Sequence, residues 1–362
     1  MKIAHVVDSM EVGGAEVLVS QLCRLQREQG HDPCVYAVAA LGELGAQLRQ
    51  EGFAVQANVG PGLLGATRKF FRIFKESRPG VVHLHNPTPA IYAAMAARMA
   101  GVPSIVSTRH SLVAPPRNLV AELKFAVAAG FCDWIVGICE ATATNLRSLR
   151  SVPKRKIVRV YNGAVPLKRV AREAWPEKSG FTLLFVGRLA PVKNHALLLN
   201  AFHGALLSMP GLRLWMVGDG PERQMLEGLT AQLGIGAQVK FWGQQLDVAP
   251  FYSAADAFVM SSKSEGLPIS LLQAFSLGVP AIVTDVGGMA EVVRLAKAGV
   301  TAQDAGGMAS AILRLAGSGA EREQFSRNAE AAFGERFTLE AMADAYMELY
   351  RQTHGARRAA KA

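Results

Sequence analysis

Short apolar runs alternate with amphipathic stretches along almost the whole chain. In the first half, runs rich in Val, Ile, Leu and Ala end near Val7, Ala39, His85, Ser107, Ile138 and Tyr161. Helical periodicity lies between several of them, as at Ala15–Gln29 and Ala90–Ala100. A second series begins at Phe181–Val186 and continues through Leu212–Val217, Val239–Phe241, Ala257–Met260 and Ala281–Thr284. Strands that are apolar on both faces belong under helices on both sides, so the alternation predicts a doubly wound parallel α/β sheet, twice over. Between the two series, Val165–Gly180 is rich in charge, carries Pro166 and Pro176 and has no clear period, which predicts a linker. The expected organisation is a Rossmann-like domain over 1–164, the linker over 165–180, a second Rossmann-like domain over 181–338, and a terminal segment over 339–362. That last segment holds a helical stretch, Leu339–Thr353, and a basic tail.

Composition narrows the class. A chain of 362 residues is long for one core and natural for two domains. Half the residues are apolar and 35 are glycine, as buried parallel strands joined to helices by tight turns require. Cys23, Cys34, Cys132 and Cys139 are widely spaced, which excludes a Cys-x-x-Cys zinc or redox pair and predicts small core residues in a reducing compartment. No apolar run reaches the ~18–20 residues that span a bilayer. The opening Met1–Val7 is too short for a signal peptide and reads as a first strand. These features predict a cytoplasmic protein, soluble or peripheral on the inner face of the membrane. The formal charge of +10 is uneven. Arg68–Lys75 interleaves cations with Phe70, Phe71 and Phe74, which suits an anionic membrane surface with the phenylalanines inserted. The i, i+3, i+4 spacing of Phe70, Ile73 and Phe74 favours instead an amphipathic helix packed on a sheet. Charge without a reading element gives no case for nucleic acid.

Ligands of open α/β sheets bind beyond the carboxyl ends of the strands, so chemistry is sought there. The richest segment is Ser264–Pro280. Pro268 suits the first position of a helix, and Gly278 the left-handed residue after its end, with Pro280 blocking continuation. The helix start then faces Glu265, where amides can hold a phosphate while the carboxylate takes hydroxyls. Gly187–Asn194 follows the first strand of the second half and aims Arg188 and Lys193 from one turn at one anion. Val12–Glu16 carries Gly13 and Gly14 at a strand-to-helix turn, where backbone can approach a sugar or phosphate. Gly218–Arg223 reads as a structural turn. His83 and His85 share one face of a strand end, a conceivable metal pair with no third ligand near in sequence. Glu140, with Thr142 and Thr144, reads as a capped helix start.

Glu265–Glu291, Gly187–Asn194, Gly13–Glu16 and Asn162-Gly163 together closely resemble the motifs of the family-4 retaining glycosyltransferases, also called glycosyl transferases group 1. The resemblance spans nearly the whole chain and implies the GT-B architecture, two Rossmann-like domains facing across a cleft, with the last helix crossing back to the first domain. It implies a nucleotide-diphosphate sugar as donor, UDP-linked, and a hydroxyl acceptor that is a saccharide, a lipid-linked glycan or a small metabolite, in cell-envelope or exported polysaccharide synthesis. Arg188 and Lys193 match the diphosphate clamp. Gly266, Leu267, Pro268 and Ile269 match the helix start beside it, Glu265 the group that orients the sugar, and His110 the histidine facing the sugar. Gly13, Gly14 and Asn162 match the first loop and the domain exit. The family's second acid is replaced by Gln273, which can accept a hydrogen bond from the ribose but carries no charge. With no Asp-x-Asp in the chain, no metal or other cofactor is expected, and cations and amides would meet the charge of the departing diphosphate. Other readings share these residues: a non-catalytic nucleotide-sugar-binding partner subunit, a GT-B epimerase or phosphorylase, or a membrane-surface scaffold.

Overall fold

The computed structural model describes residues 1–57, 62–112, 119–149, 152–171 and 178–359; of residues 119 and 354–359 it describes the backbone only. Part of the expected linker, 172–177, lies outside this set. The chain forms two compact units, Met1–Gly163 with Leu339–Ala362, and Ala164–Thr338.

The first unit runs β1 (Lys2–Val7), α1 (Gly14–Glu28), β2 (Asp32–Ala37), α2 (Gly42–Gln50), β3 (Ala54–Gln56), α3 (Leu63–Ser77) and β4 (Val81–His85). It continues with α4 (Pro87–Ala100), β5 (Ser104–Arg109), α5 (Leu119–Phe131), β6 (Trp134–Gly137), α6 (Glu140–Ser148) and β7 (Ile157–Arg159). The sheet is parallel, in the order β3-β2-β1-β4-β5-β6-β7. Alternation sends side chains to two cores. Ala4, Val6, Cys34 and Tyr36 pack with Phe70 and Phe74 of α3 and the alanines of α4. Val7, Val35 and Ala37 pack with Val19 and Cys23 of α1 and with Leu44 and Leu48 of α2. Phe70 and Phe74 are 0% and 1% exposed, so the basic stretch is an amphipathic helix and its two central phenylalanines are unavailable for insertion into a membrane. Only Arg68, Arg72 and Lys75 of its cations are fully on the surface.

The second unit runs β8 (Thr182–Val186), α7 (His195–Leu206), β9 (Arg213–Val217), α8 (Arg223–Gln232), β10 (Val239–Gly243), α9 (Ala249–Ala254) and β11 (Ala257–Met260). After these come α10 (Ile269–Ser276), β12 (Ala281–Thr284), α11 (Gly287–Ala296), β13 (Gly299–Ala302), α12 (Ala305–Gly317) and α13 (Gly319–Ala332). Its sheet is also parallel, in the order β10-β9-β8-β11-β12-β13. Close packing of neighbouring turns demands glycine at Gly218, where φ is +132° and a Cβ would fall 1.9 Å from the Gly187 carbonyl oxygen. The final helix, α14 (Leu339–Ala359), belongs to the first unit and packs on α1 and β5.

Two edge strands escape the sequence pattern. Ala54–Gln56 is three residues long with only its middle residue buried, and Gly299–Ala302 opens with glycine and buries only its last residue. All four cysteines are buried and free. Cys139 rather than Glu140 caps α6, its sulfur accepting from the Thr142 amide, and Glu140 sits in the first turn paired with Arg147. No helix among the described residues is long and apolar enough to cross a membrane.

Candidate functional site

In each sheet the chain reverses its direction of growth between two adjacent strands, and that is where an α/β sheet opens a ligand crevice. In the second unit these strands are β8 and β11. The loop after β8 carries Arg188 and a 3-10 turn, Pro191–Lys193, ending on Asn194 with φ at +54°. The loop after β11 carries Ser261–Glu265. The two are tied by backbone and side chain. Lys263 donates its amide to the Val192 carbonyl at 2.8 Å, and Ser261 Oγ donates to the Lys193 and Asn194 carbonyls at 2.9 and 3.0 Å. Lys193 Nζ donates to Glu265 Oε1, and Ser262 Oγ reaches the same oxygen at 3.4 Å. Both charged side chains are only 16% exposed, so the pair sits in a partly desolvated recess. Arg188 is exposed.

Beside this pair α10 begins. Pro268 is its N-cap, with ψ at 134°, one residue earlier than the first helical position expected of it. No side chain caps the helix, so the amides of its first turn are aimed at the loop that carries Glu265. Gly266 and Leu267 are buried under that turn; Pro268, Ile269 and Gln273 are half-buried. Gly278, at φ +66°, ends the helix as expected. A cavity of about 450 Å³ opens next to the pair, lined by Asn194, Ser262, Lys263, Thr284, Asp285 and Gln303. It lies past the carboxyl ends of β8, β11, β12 and β13, and the volume is in the range of small-ligand pockets.

In the first unit the reversal falls between β1 and β4. Gly13 is half-buried and Gly14 exposed at the start of α1, and Gly13 caps the helix through backbone alone. Asp8 and Glu16 flank this turn, and burial raises the carboxyl pKa of each. Asn86, at φ +75°, follows β4, and its Oδ1 accepts the His110 amide at 3.2 Å. His110 is not a lone surface histidine. Its Nε2 lies 3.1 Å from His85 Nδ1, and burial pulls its pKa down to about 4. His5, His83 and His85 form a buried trio with one nitrogen each within 4.8 Å of the others. Sequence reading missed His5 and Asn86. Parallel pairing could have supplied His5, since the β1–β4 register sets it directly beside His83. Asn162 is 4% exposed, with its amide on the Ile138 carbonyl at 3.3 Å.

Comparison with known proteins gives this arrangement its family. The Glycosyltransferase Family 4 model matches residues 12–166, and the Glycosyl transferases group 1 model matches 168–332. The chain belongs to the group 1 glycosyltransferases. The crystal structure of HepE from Anabaena with UDP overlays with a TM-score of 0.86 at 20% identity, covering 96% of this chain and 99% of that one, and the fold is GT-B. LpsD of Rhizobium meliloti (strain 1021), a lipopolysaccharide core biosynthesis glycosyltransferase, is 32% identical over 219 residues, 60% of this chain and 63% of its own length. The match thus spans less than two thirds of LpsD. EpsF of Bacillus subtilis (strain 168) is 28% identical over 370 residues, 92% of each chain. In this chain Gly187–Asn194 and Glu265–Gln273 follow β8 and β11, the two strands at the reversal of the second sheet.

Proposed function

We propose that this group 1 glycosyltransferase moves a hexosyl or N-acetylhexosaminyl group from a UDP-sugar to a hydroxyl acceptor in cell-envelope or exported polysaccharide synthesis, with retention of anomeric configuration and without a metal. The observation that carries the reading is the Lys193–Glu265 pair at the sheet reversal, beside the uncapped start of α10. Cation and carboxylate side by side suit a ligand with a diphosphate next to hydroxyls. On binding, Lys193 turns from Glu265 to the diphosphate, joined by Arg188 and the amides of the first turn of α10. Negative charge grows on the departing phosphate, and these groups stabilise it as the sugar leaves. Glu265, released, accepts from sugar hydroxyls, and Gln273 accepts from the ribose. In the first unit Gly13, Gly14 and His110 take sugar and acceptor, with Asn162 supporting from its buried site.

Membrane association is part of the proposal. It rests on the outer faces of α3, α4 and α5. Leu64, Met99, Val120, Leu123 and Val127 are exposed there, on the same unit as the surface cations Arg68, Arg72 and Lys75. Binding would use these apolar residues and charges, not Phe70 and Phe74.

The deciding experiment is thermal stability of the purified protein with UDP, GDP, ADP and CMP, beside an Arg188→Ala/Lys193→Ala control. At a hundred times its Kd, UDP should add ~2.7 kcal/mol, lost in the control. No shift with any nucleotide would sink the donor assignment and favour a protein that has lost catalysis through Gln273.

A further inference from the structure

A line of side-chain hydrogen bonds crosses the first unit from α1 to the loop after β5. Gln26 Oε1 meets His5 Nε2 at 2.8 Å, His5 Nδ1 meets His85 Nε2 at 3.0 Å, and His85 Nδ1 meets His110 Nε2 at 3.1 Å. At the far end His110 Nδ1 is buried with no hydrogen-bond partner among the described residues. All three rings are neutral, because burial takes His5 and His110 to about 4 and pushes His85 well below its ordinary value. A neutral imidazole has one N–H and one lone pair, so each contact needs a donor on one side and an acceptor on the other. Fixing one end therefore fixes the line. The Gln26 carbonyl only accepts, so His5 donates from Nε2 and accepts at Nδ1. His85 then donates from Nε2 to His5, and His110 donates from Nε2 to His85. The lone pair left over is on His110 Nδ1.

We propose that Gln26, His5 and His85 are positioning residues that hold His110 in the Nε2–H form, so that its Nδ1 accepts an O–H of the ligand, a sugar hydroxyl rather than a phosphate oxygen. A diphosphate oxygen has no proton to give at neutral pH, and the opposite ring form would present an N–H that favours anions. The choice of a sugar hydroxyl rests on the reading of His110 as the donor-facing residue; the relay itself does not.

The spacing of His5, His83 and His85 also invites a metal. Their lone pairs are already used. His83 has the Tyr350 hydroxyl at 2.7 Å on Nδ1 and Thr108 Oγ1 at 2.7 Å on Nε2, while His5 and His85 bond each other and the ends of the line.

Long-range proton–nitrogen correlation spectra of the full chain labelled with 15N-histidine, assigned with His110→Asn, test the relay directly. The expected result is a pyridine-type Nδ1 and a pyrrole-type Nε2 at His110. The reverse pattern, or stoichiometric zinc by elemental analysis, would overturn the proposal. Gln26→Met keeps the shape but removes the acceptor. It should give mixed ring forms at His110 and lower kcat/KM for the donor sugar about fivefold, the net worth of one neutral hydrogen bond. The Kd for UDP should stay unchanged. Tyr346→Phe, on the same buried face but off the line, should leave His110 as in the wild type. Unaltered ring forms in Gln26→Met would overturn the positioning role. Mixed forms with wild-type kcat/KM would keep the relay and remove the sugar hydroxyl as its ligand.

Discussion

Replacing Glu265 with Gln should tighten UDP binding while slowing transfer, an outcome opposite to that of simple site damage. Without ligand, Lys193 is held by Glu265, and each side chain is 16% exposed. Exposed pairs are worth about 0–1 kcal/mol, whereas breaking a fully buried pair costs about 3–5 kcal/mol. A half-sheltered pair falls between, at about 1–2 kcal/mol. A diphosphate that recruits Lys193 must first break this contact, and it also approaches the Glu265 charge. The amide introduced by Glu265→Gln keeps the shape and a hydrogen-bond acceptor but removes the ion pair. Most of that pair's worth, about 1–2 kcal/mol, then returns as affinity. Calorimetric titration should give a Kd for UDP roughly five- to thirtyfold lower, using about 1.4 kcal/mol per factor of ten. Turnover of the UDP-sugar should fall by more than about tenfold, because the sugar loses charge-assisted hydrogen bonds worth about 1.5–3 kcal/mol. UDP binding that weakens in Glu265→Gln would refute the reasoning, since it would mean that Glu265 assists the diphosphate rather than restraining Lys193.

Gly14→Ala should raise stability slightly, by up to about 1 kcal/mol, because a Cβ there meets nothing within 4 Å and helix entropy improves; loss of transfer despite a higher melting temperature would place a ligand against that backbone. Phe74→Ala should cost about 3–5 kcal/mol in a urea melt, as it empties a 1%-exposed core position against Phe70 and Tyr36. Stability should also fall as pH drops from 6.5 toward 4. In that window the unfolded chain binds protons at His5 and His110 that the folded chain refuses, so stability is full above 6.5 and declines by up to about 1.4 kcal/mol per pH unit for each histidine. His110→Asn should flatten this slope in melts between about pH 7.5 and 5. Gln273→Glu should change UDP affinity with little effect on melting of the free protein, because the side chain is half-buried on α10 rather than in the core.

Much of the candidate site could be read from the sequence because its residues are contiguous. Gly187–Asn194 and Ser264–Gly278 are each one turn and its flanks, so local rules on glycine, proline and helix ends locate them. The contact between Lys193 and Glu265 was not legible. It joins residues 72 apart in sequence and exists because β8 and β11 are neighbours at the reversal of the sheet. His110 shows the same limit: its motif match marks it as a sugar-facing candidate, but nothing in the sequence alone sets it beside His85. Only the β1–β4 and β4–β5 registers, with α1 laid across them, make it the end of a buried line.

By itself the amino-acid sequence determined the alternation of strand and helix, the two sheets and the loops that carry the motifs, because hydrophobic period, turn residues and helix ends act over a few neighbouring residues. It did not determine which charges meet, which histidines are neutral or which phenylalanines are covered. Those depend on burial and on groups brought together from distant positions. Desolvation and hydrogen-bond direction are properties of a surrounding shell, and a shell exists only once the sheets are paired and the helices packed.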